Sequence, residues 1–192
     1  MFADLLAQRL SGIVQLTSGQ VSALEAHYQL LLQWNRKVNL TSISTLEEIV
    51  ERHYCESLFL AAQLPAEPLR IADIGSGAGF PGLPVAVYRS DCRVALIESH
   101  RRKCVFLREA SRTLPNITVL AERAEAVKGQ FDRVVSRAVS YQDLKPILKK
   151  MAPNADLLTG AEAPPEELGF AWGPPIPLPW GERRFLRSGH RC

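Results

Sequence analysis

The chain has no run of about 18 apolar residues, the length a membrane-spanning helix needs, so no membrane span is expected. Its first residues, Met1 to Leu10, carry Asp4 and no basic-then-apolar pattern. A secretory leader is therefore not expected, and the anticipated compartment is the cytoplasm. Cysteine is scarce and scattered: no two of Cys55, Cys92, Cys104 and Cys192 form a C-x-x-C pair. No His/Cys cluster has metal-ligand spacing, so reduced thiols and no bound metal are expected. Lysine is scarce too, 6 residues against 17 arginines, although the net charge is only +3. The planar arginine fork pairs with phosphate and stacks on bases, so this choice leans toward an anionic partner. No internal repeat is present.

What is there is enough for one α/β core plus a small appendage, and too little for two full enzymatic domains in 192 residues. Residues 1–65 read as a helical N-terminal extension. Thr17 or Ser18 caps a helix from Gly19 to about Trp34, with Val21, Leu24, Tyr28, Leu31 and Leu32 on one face. A second helical stretch runs from about Thr45 to Leu64, and Pro65 and Pro68 mark the boundary. Residues 66–192 then alternate short apolar runs with helix-length segments. Strands are predicted at Arg70–Ile74, Arg93–Ile97, Ile117–Leu120, Asp132–Ser136 and Asp156–Thr159, with helices near Pro81–Tyr88, His100–Leu114 and Tyr141–Met151. Such alternation predicts a doubly wound, Rossmann-like parallel sheet covered on both faces. Residues 161–181, rich in proline and glycine, read as an extended connection, and Glu182–Arg187 as a last strand.

The densest local signal is Arg70-Ile71-Ala72-Asp73-Ile74-Gly75-Ser76-Gly77-Ala78-Gly79-Phe80-Pro81-Gly82, a strand entering a glycine-rich turn and a helix. Glycines let the backbone turn sharply and approach a ligand closely. Such turns lie at the carboxyl edge of an α/β sheet, where ligands bind. Two ligand classes compete. Gly77-x-Gly79-x-x-Gly82 matches the dinucleotide pattern, but Pro81 removes one amide donor at the helix start and Asp73 adds negative charge. The register Asp73-x-Gly75-x-Gly77-x-Gly79 suits a cationic ligand such as S-adenosylmethionine. Glu98, ending the second strand roughly 20 residues on, can accept from both ribose hydroxyls of either ligand.

These residues resemble a known family, the bacterial small-subunit ribosomal RNA guanine-N7 methyltransferases, also called the glucose-inhibited division protein B family. The resemblance covers about residues 20 to 150. It rests on Trp34-Asn35-Arg36-Lys37-Val38-Asn39-Leu40-Thr41, Arg52-His53, the Asp73–Gly82 turn, Glu98-Ser99 with Lys103 and Phe106-Leu107, Arg123-Ala124-Glu125 and Ser136-Arg137-Ala138. It implies a class I S-adenosyl-L-methionine-dependent fold and a cytoplasmic enzyme acting on small-subunit ribosomal RNA or the ribosomal particle. By motif match it implies cofactor contacts at Gly75, Phe80, Ala124, Glu125 and Arg137. With the turn reading, the expected cofactor set is Asp73, Gly75, Gly77, Gly79, Phe80, Glu98, Ala124, Glu125 and Arg137, Arg137 also being the candidate catalytic group. Where the family has a Lys-Gly pair at the end of the fifth strand, this chain has Thr159-Gly160.

The helix after Glu98 places Arg101, Arg108 and Arg112 on one face, with Phe106, Leu107, Ala110 and Leu114 opposite. With Arg36, Lys37, Asn39, Arg52 and His53 this makes the expected RNA contact set. Neither an Asn-Pro-Pro-Tyr motif nor a Pro-Cys nucleophile is present, and guanine N7 requires neither, its lone pair being free to attack. The remaining alternatives are an NAD(P)-linked oxidoreductase, a non-catalytic RNA-binding protein with a vestigial pocket, and a small-molecule methyltransferase. A monomer is expected.

Overall fold

The computed structural model describes residues 1–192. The chain opens with helices α1 (Phe2–Leu10), α2 (Ser18–Asn35), α3 (Leu46–Ile49) and α4 (Glu56–Gln63). Thr17 caps α2 through a reciprocal box: its hydroxyl accepts from Gln20 N, and Gln20 Oε1 accepts from Thr17 N. This satisfies two of the helix's otherwise orphaned amides. The same Gln20 donates to the carbonyls of Val87 and Tyr88, fixing the start of α2 against the sheet domain. Thr45 caps α3. The stretch expected as one helix from Thr45 to Leu64 is interrupted by a π-helical segment, Val50–Cys55. None of these helices is long and apolar enough to cross a membrane.

The sheet contains β1 (Arg70–Ile74), β2 (Arg93–Ile97), β3 (Ile117–Leu120), β4 (Arg133–Arg137) and β5 (Asn154–Thr159), all parallel. Helices α5 (Gly82–Tyr88) and α6 (Arg101–Ala110) follow β1 and β2. The helix expected at Tyr141–Met151 is two short ones, α7 (Tyr141–Leu144) and α8 (Leu148–Met151). Pro146 lies between them and lacks the amide a continuous helix would use. Residues 161–181 are more than the expected connection. They form β6 (Phe170–Trp172) and β7 (Ile176–Pro177), which both pair with β8 (Phe185–Arg191). The strand order is β3-β2-β1-β4-β5-β8-β6, with β8 antiparallel to β5. A dinucleotide fold would continue with a parallel sixth strand beside β5.

Alternation along the strands sends side chains to two cores. Ile71, Val94, Leu96, Val135 and Leu158 join a 33-residue cluster with α1, α2, α4, α5 and Phe106 and Leu107 of α6. Ala72, Ile74, Ile97, Val134 and Leu157 join a 13-residue cluster under α7 and α8. The N-terminal helices therefore share the larger core with the sheet. Leu6, Leu24, Leu31, Tyr54 and Leu58 are fully or almost fully buried there.

The loop before β8 returns to these helices. Trp180 Nε1 donates to the Arg9 carbonyl, and Arg184 Nη2 to Glu56 Oε2 at 2.5 Å. Glu56 is completely buried, and burial pushes its carboxyl above the usual range despite the Arg184 cation. Arg184→Ala leaves this acid without its direct partner and should destabilise the fold by about 3 kcal/mol. Adding Glu56→Gln should restore part of the loss, because a neutral amide is cheaper to bury. Urea denaturation of the two variants checks both expectations.

Candidate functional site

The turn after β1 is held from inside and below. Gly75 N and Ser76 N donate to the Ile97 carbonyl of β2, and Gly79 N and Phe80 N to the Ser76 carbonyl. Gly75, Gly77 and Gly79 have φ of 69°, 56° and 91°, the left-handed region that favours glycine. A Cβ on Gly75 would also stand 2.7 Å from Val139, across the cleft that both residues line. The Asp73 carboxylate is fully buried, and its Oδ2 accepts from Gly82 N at 2.9 Å. Asp73 was expected to face the ligand; instead it clamps the start of α5. A Cβ on Gly82 would meet this carboxylate, so the close approach requires glycine there.

Glu98 stands at the rim. Oε2 accepts from Gly77 N at 3.0 Å and Oε1 from His100 N at 2.8 Å. Each carboxylate oxygen keeps a second lone pair for a ribose hydroxyl. Beside it opens a cleft of about 200 Å³ floored by Ile74, Gly75 and Ile97 and walled by Ala124, Val139 and Ile147. Its charged lining is Glu98, Glu122, Glu125 and Asp143 against Arg123 alone. The short 3-10 turn Ala124–Ala126 puts Ala124 and Glu125 in this wall. Gly75, Glu98, Ala124 and Glu125 thus converge on one cleft. Four carboxylates repel a pyrophosphate, and the Gly82 amide that could have bound one is taken by Asp73. A nucleoside carrying cationic groups fits this donor set; an anionic dinucleotide does not.

Phe80 and Arg137 lie on the helical side of the turn. Phe80 is 3% exposed, so its side chain is a support and not the cleft contact expected of it. Its ring stacks on His53 at 4.6 Å, meets Tyr54 and His27 edge-on at 5.1 and 5.2 Å, and lies 5.4 Å from the Arg137 guanidinium carbon. Arg137 Nη1 donates to the Arg52 carbonyl, at the π-helical segment. It makes no ion pair with Glu125 or any other carboxylate. Burial lowers its pKa to about 10, countered first by Glu56, so it stays charged at neutral pH. None of its nitrogens is buried without a partner, so the guanidinium atoms not bound to Arg52 reach the surface.

Two groups in this layer escaped the sequence reading. His27 Nε2 donates to the Ala78 carbonyl of the glycine turn, and its Nδ1 accepts from Tyr54 Oη. That pair fixes the neutral tautomer, and burial lowers the His27 pKa to about 4. The available signal was position: His27 lies on the helical face of Leu24 and Leu31.

The expected RNA contacts divide. His53 is 3% exposed, bonds Thr41 Oγ1 through Nε2, and is held neutral chiefly by burial. It braces Phe80 and is corrected from a surface contact to an interior one. Arg52 is half-buried, with Nε sealed in and without a partner. Arg36, Lys37 and Asn39 are exposed on the loop after α2. That loop is closed by Asn35, whose side chain bonds the backbone of Leu40 and Thr41. Arg101 and Arg108 are exposed on α6; Arg112 is exposed in the turn beyond it, because the helix ends at Ala110.

A family profile described as rRNA small subunit methyltransferase G, or GidB, matches residues 20–158. The chain belongs to this family. It is similar to ribosomal RNA small subunit methyltransferase G of Chromobacterium violaceum, with 42% identity over 131 residues, 66% of this chain and 62% of that protein. The protein of the same name from Aquifex aeolicus is 42% identical over 133 residues, 66% of this chain and 68% of that one. Against the C. violaceum and Nitrosococcus oceani relatives the chain spans about three fifths of their length, 62% and 59%. Among solved structures it resembles a SAM dependent methyltransferase from A. aeolicus at TM-score 0.57 and 16% identity, covering 74% of this chain and 92% of that one. Aeropyrum pernix fibrillarin, solved with natively bound S-adenosyl-L-methionine, matches at TM-score 0.55 and 13% identity, covering 70% and 73%. The fold is that of class I methyltransferases, as the resemblance had implied.

Burial raises the Asp73 pKa to about 7, against the opposing hydrogen bond from Gly82. A carboxyl whose folded pKa is raised stabilises the fold least once ionised, so its contribution declines as pH rises from about 4 to above 7. His27 and His53, lowered by burial, act in the opposite direction below about 6.5. Asp73→Asn isolates the acid, since its amide oxygen still accepts from Gly82. The melting temperature of the variant relative to wild type should climb across that pH range; a difference independent of pH would contradict the raised pKa.

Proposed function

We propose that this chain binds S-adenosyl-L-methionine in the acidic cleft and uses it to methylate N7 of a guanine in small-subunit ribosomal RNA. The observation carrying this reading is the ring of Glu98, Glu122, Glu125 and Asp143 around the glycine turn, on residues the family profile matches. When bound, the cofactor supplies an electrophilic methyl group on a sulfonium. Glu98 accepts from the ribose hydroxyls, and Ala124 and Glu125 flank the base. Gly75, in the left-handed turn, keeps the cleft clear where a Cβ would meet Val139. Arg137, a cation without an ion pair, is available to the amino-acid carboxylate. Phe80 and Asp73 hold the turn from beneath.

A second cleft, of about 630 Å³, opens beyond the ends of β4 and β5 and shares Val139 with the first. Its lining runs over residues 138–142 and 158–162, which suits an unpaired base brought beside the cofactor. The RNA side of the reading draws on Arg36, Lys37, Arg101, Arg102, Arg108 and Arg112, all exposed and none in an ion pair. Guanine N7 carries no proton, so aligning the reacting atoms and excluding water are the demands on the protein.

Glu98→Ala should weaken cofactor binding by about 1.5–3 kcal/mol, the value of a charge-assisted hydrogen bond. Titration calorimetry with the cofactor or its demethylated product measures this. Affinity unchanged in the folded variant would remove Glu98 from the ribose.

Arg137→Lys retains the charge but loses the planar fork over Phe80 and toward Arg52. Methyl transfer from labelled cofactor to small-subunit particles should fall at least tenfold, about 1.4 kcal/mol, for misplacing the reacting atoms. Nucleoside analysis should find the label in N7-methylguanosine. Label in an adenosine or a pyrimidine overturns the assignment, and cofactor binding without transfer leaves only an RNA-binding role.

A further inference from the structure

A third cleft, of about 550 Å³, lies between the end of α2 and the start of α6, outside the site described above. Gln33, Trp34, Lys37, Val38, Arg102 and Val105 line it. We infer that it seats one unpaired nucleotide of the RNA, with the base against Trp34, Val38 and Val105 and the phosphate between Lys37 and Arg102. The inference rests on the RNA reading and names the surface where RNA is held.

Three observations converge on it. Val105 is 51% exposed on a helix whose outer face is otherwise charged, so an apolar surface is left open with no internal partner. Trp34, half-buried, is braced by Phe106, with ring centroids 5.9 Å apart at 64°, so its indole is held in place before any ligand arrives. A preorganised aromatic loses little freedom when a base stacks on it. Lys37 and Arg102 are exposed at the same cleft, and neither enters an ion pair. Arg36 and Arg101 adjoin them in sequence and extend the basic surface.

Position adds a further constraint. Arg102 lies in the first turn of α6, which begins three residues after Glu98 at the carboxyl edge of the sheet. Both clefts therefore open around the start of one helix, with opposite charge. The acidic one repels phosphate and the basic one attracts it. An RNA strand anchored on the basic side keeps its backbone off the carboxylates. Bases in A-form duplex are poorly accessible, so the seated nucleotide is unpaired.

The test uses the full chain and a labelled single-stranded oligoribonucleotide of mixed sequence, followed by fluorescence anisotropy, with an abasic strand of the same length as a second probe. Val105→Asp adds a carboxylate at an exposed position and should weaken binding of the oligoribonucleotide about tenfold, as should the Lys37→Ala/Arg102→Ala pair. Calorimetric affinity of Val105→Asp for the demethylated cofactor should not change. Trp34→Phe keeps the packing on Phe106 but offers a smaller ring; it should weaken binding of the base-bearing strand and not of the abasic one. If wild type binds RNA and these variants match it within error, this cleft is not the seat and the RNA reading stands. Equal losses of Trp34→Phe on both strands remove the base from Trp34 and overturn the inference. A wild-type protein that binds neither strand overturns the RNA reading and this inference with it.

Discussion

The packing of the Phe80 ring is the contact on which the rest of the structure depends. Around it meet the glycine turn, which supplies Phe80 itself; α2, through His27; the π-helical segment, through His53 and Tyr54; and β4, through Arg137. Remove the helical layer and the turn would lose both its aromatic floor and the His27 bond to the Ala78 carbonyl. The N-terminal helices thus support the turn from beneath, sharing the 33-residue core with the sheet. The interrupted helix fits the same logic. The π-helical segment carries the Arg52 carbonyl that receives the Arg137 guanidinium and the histidine that stacks on Phe80. Such π segments are frequent at functional sites.

Charge is sorted at the carboxyl edge of the sheet. Acids gather around the cleft where the turn, Glu98 and the Ala124–Glu125 turn converge. Bases gather on the loop after α2 and on the outer face of α6. On the proposed reading, a cationic nucleoside and a polyanionic strand have neighbouring and separate places. The charge-neutral residue Val139 lies at the seam between the acidic cleft and the larger one beyond β4 and β5.

Most of the sheet was legible because its signals are local. Short apolar runs gave β1, β2 and β3 their bounds, and Thr17 marked a helix start by its capping chemistry. The place of Glu98 at the cleft was legible from its spacing to the turn, and that of Ala124 and Glu125 from their likeness to a known family. What stayed hidden depends on contacts distant in sequence. The strands β6 and β7 are short and lie in a segment dense in proline, so only pairing with β8 makes them strands. The orientation of Asp73 could not be read from its place at a strand end, since either face was open to it. Burial decided that it clamps Gly82. His53 looked like a surface partner of Arg52, yet the helix turns it inward onto Phe80 while Arg52 stays half-buried.

The buried layer also fixes how much positive charge lies under the turn. His27 is locked as a neutral tautomer by Tyr54 on one nitrogen and Ala78 on the other. His53 is held neutral by burial and by the neighbouring Arg137 and Arg52. With both histidines uncharged, Arg137 is the cation against Phe80, and Glu56 and Asp73 supply its opposing field. A proton on His53 would place a second positive charge against the same ring and push Arg137 away from it. His53 is itself buried, so little solvent reaches its ring to screen that charge. The neutrality of the histidines is therefore a condition for the position of Arg137. That neutrality follows from the helical layer that buries them, so the geometry of the guanidinium at the end of β4 is set by helices at the other end of the chain.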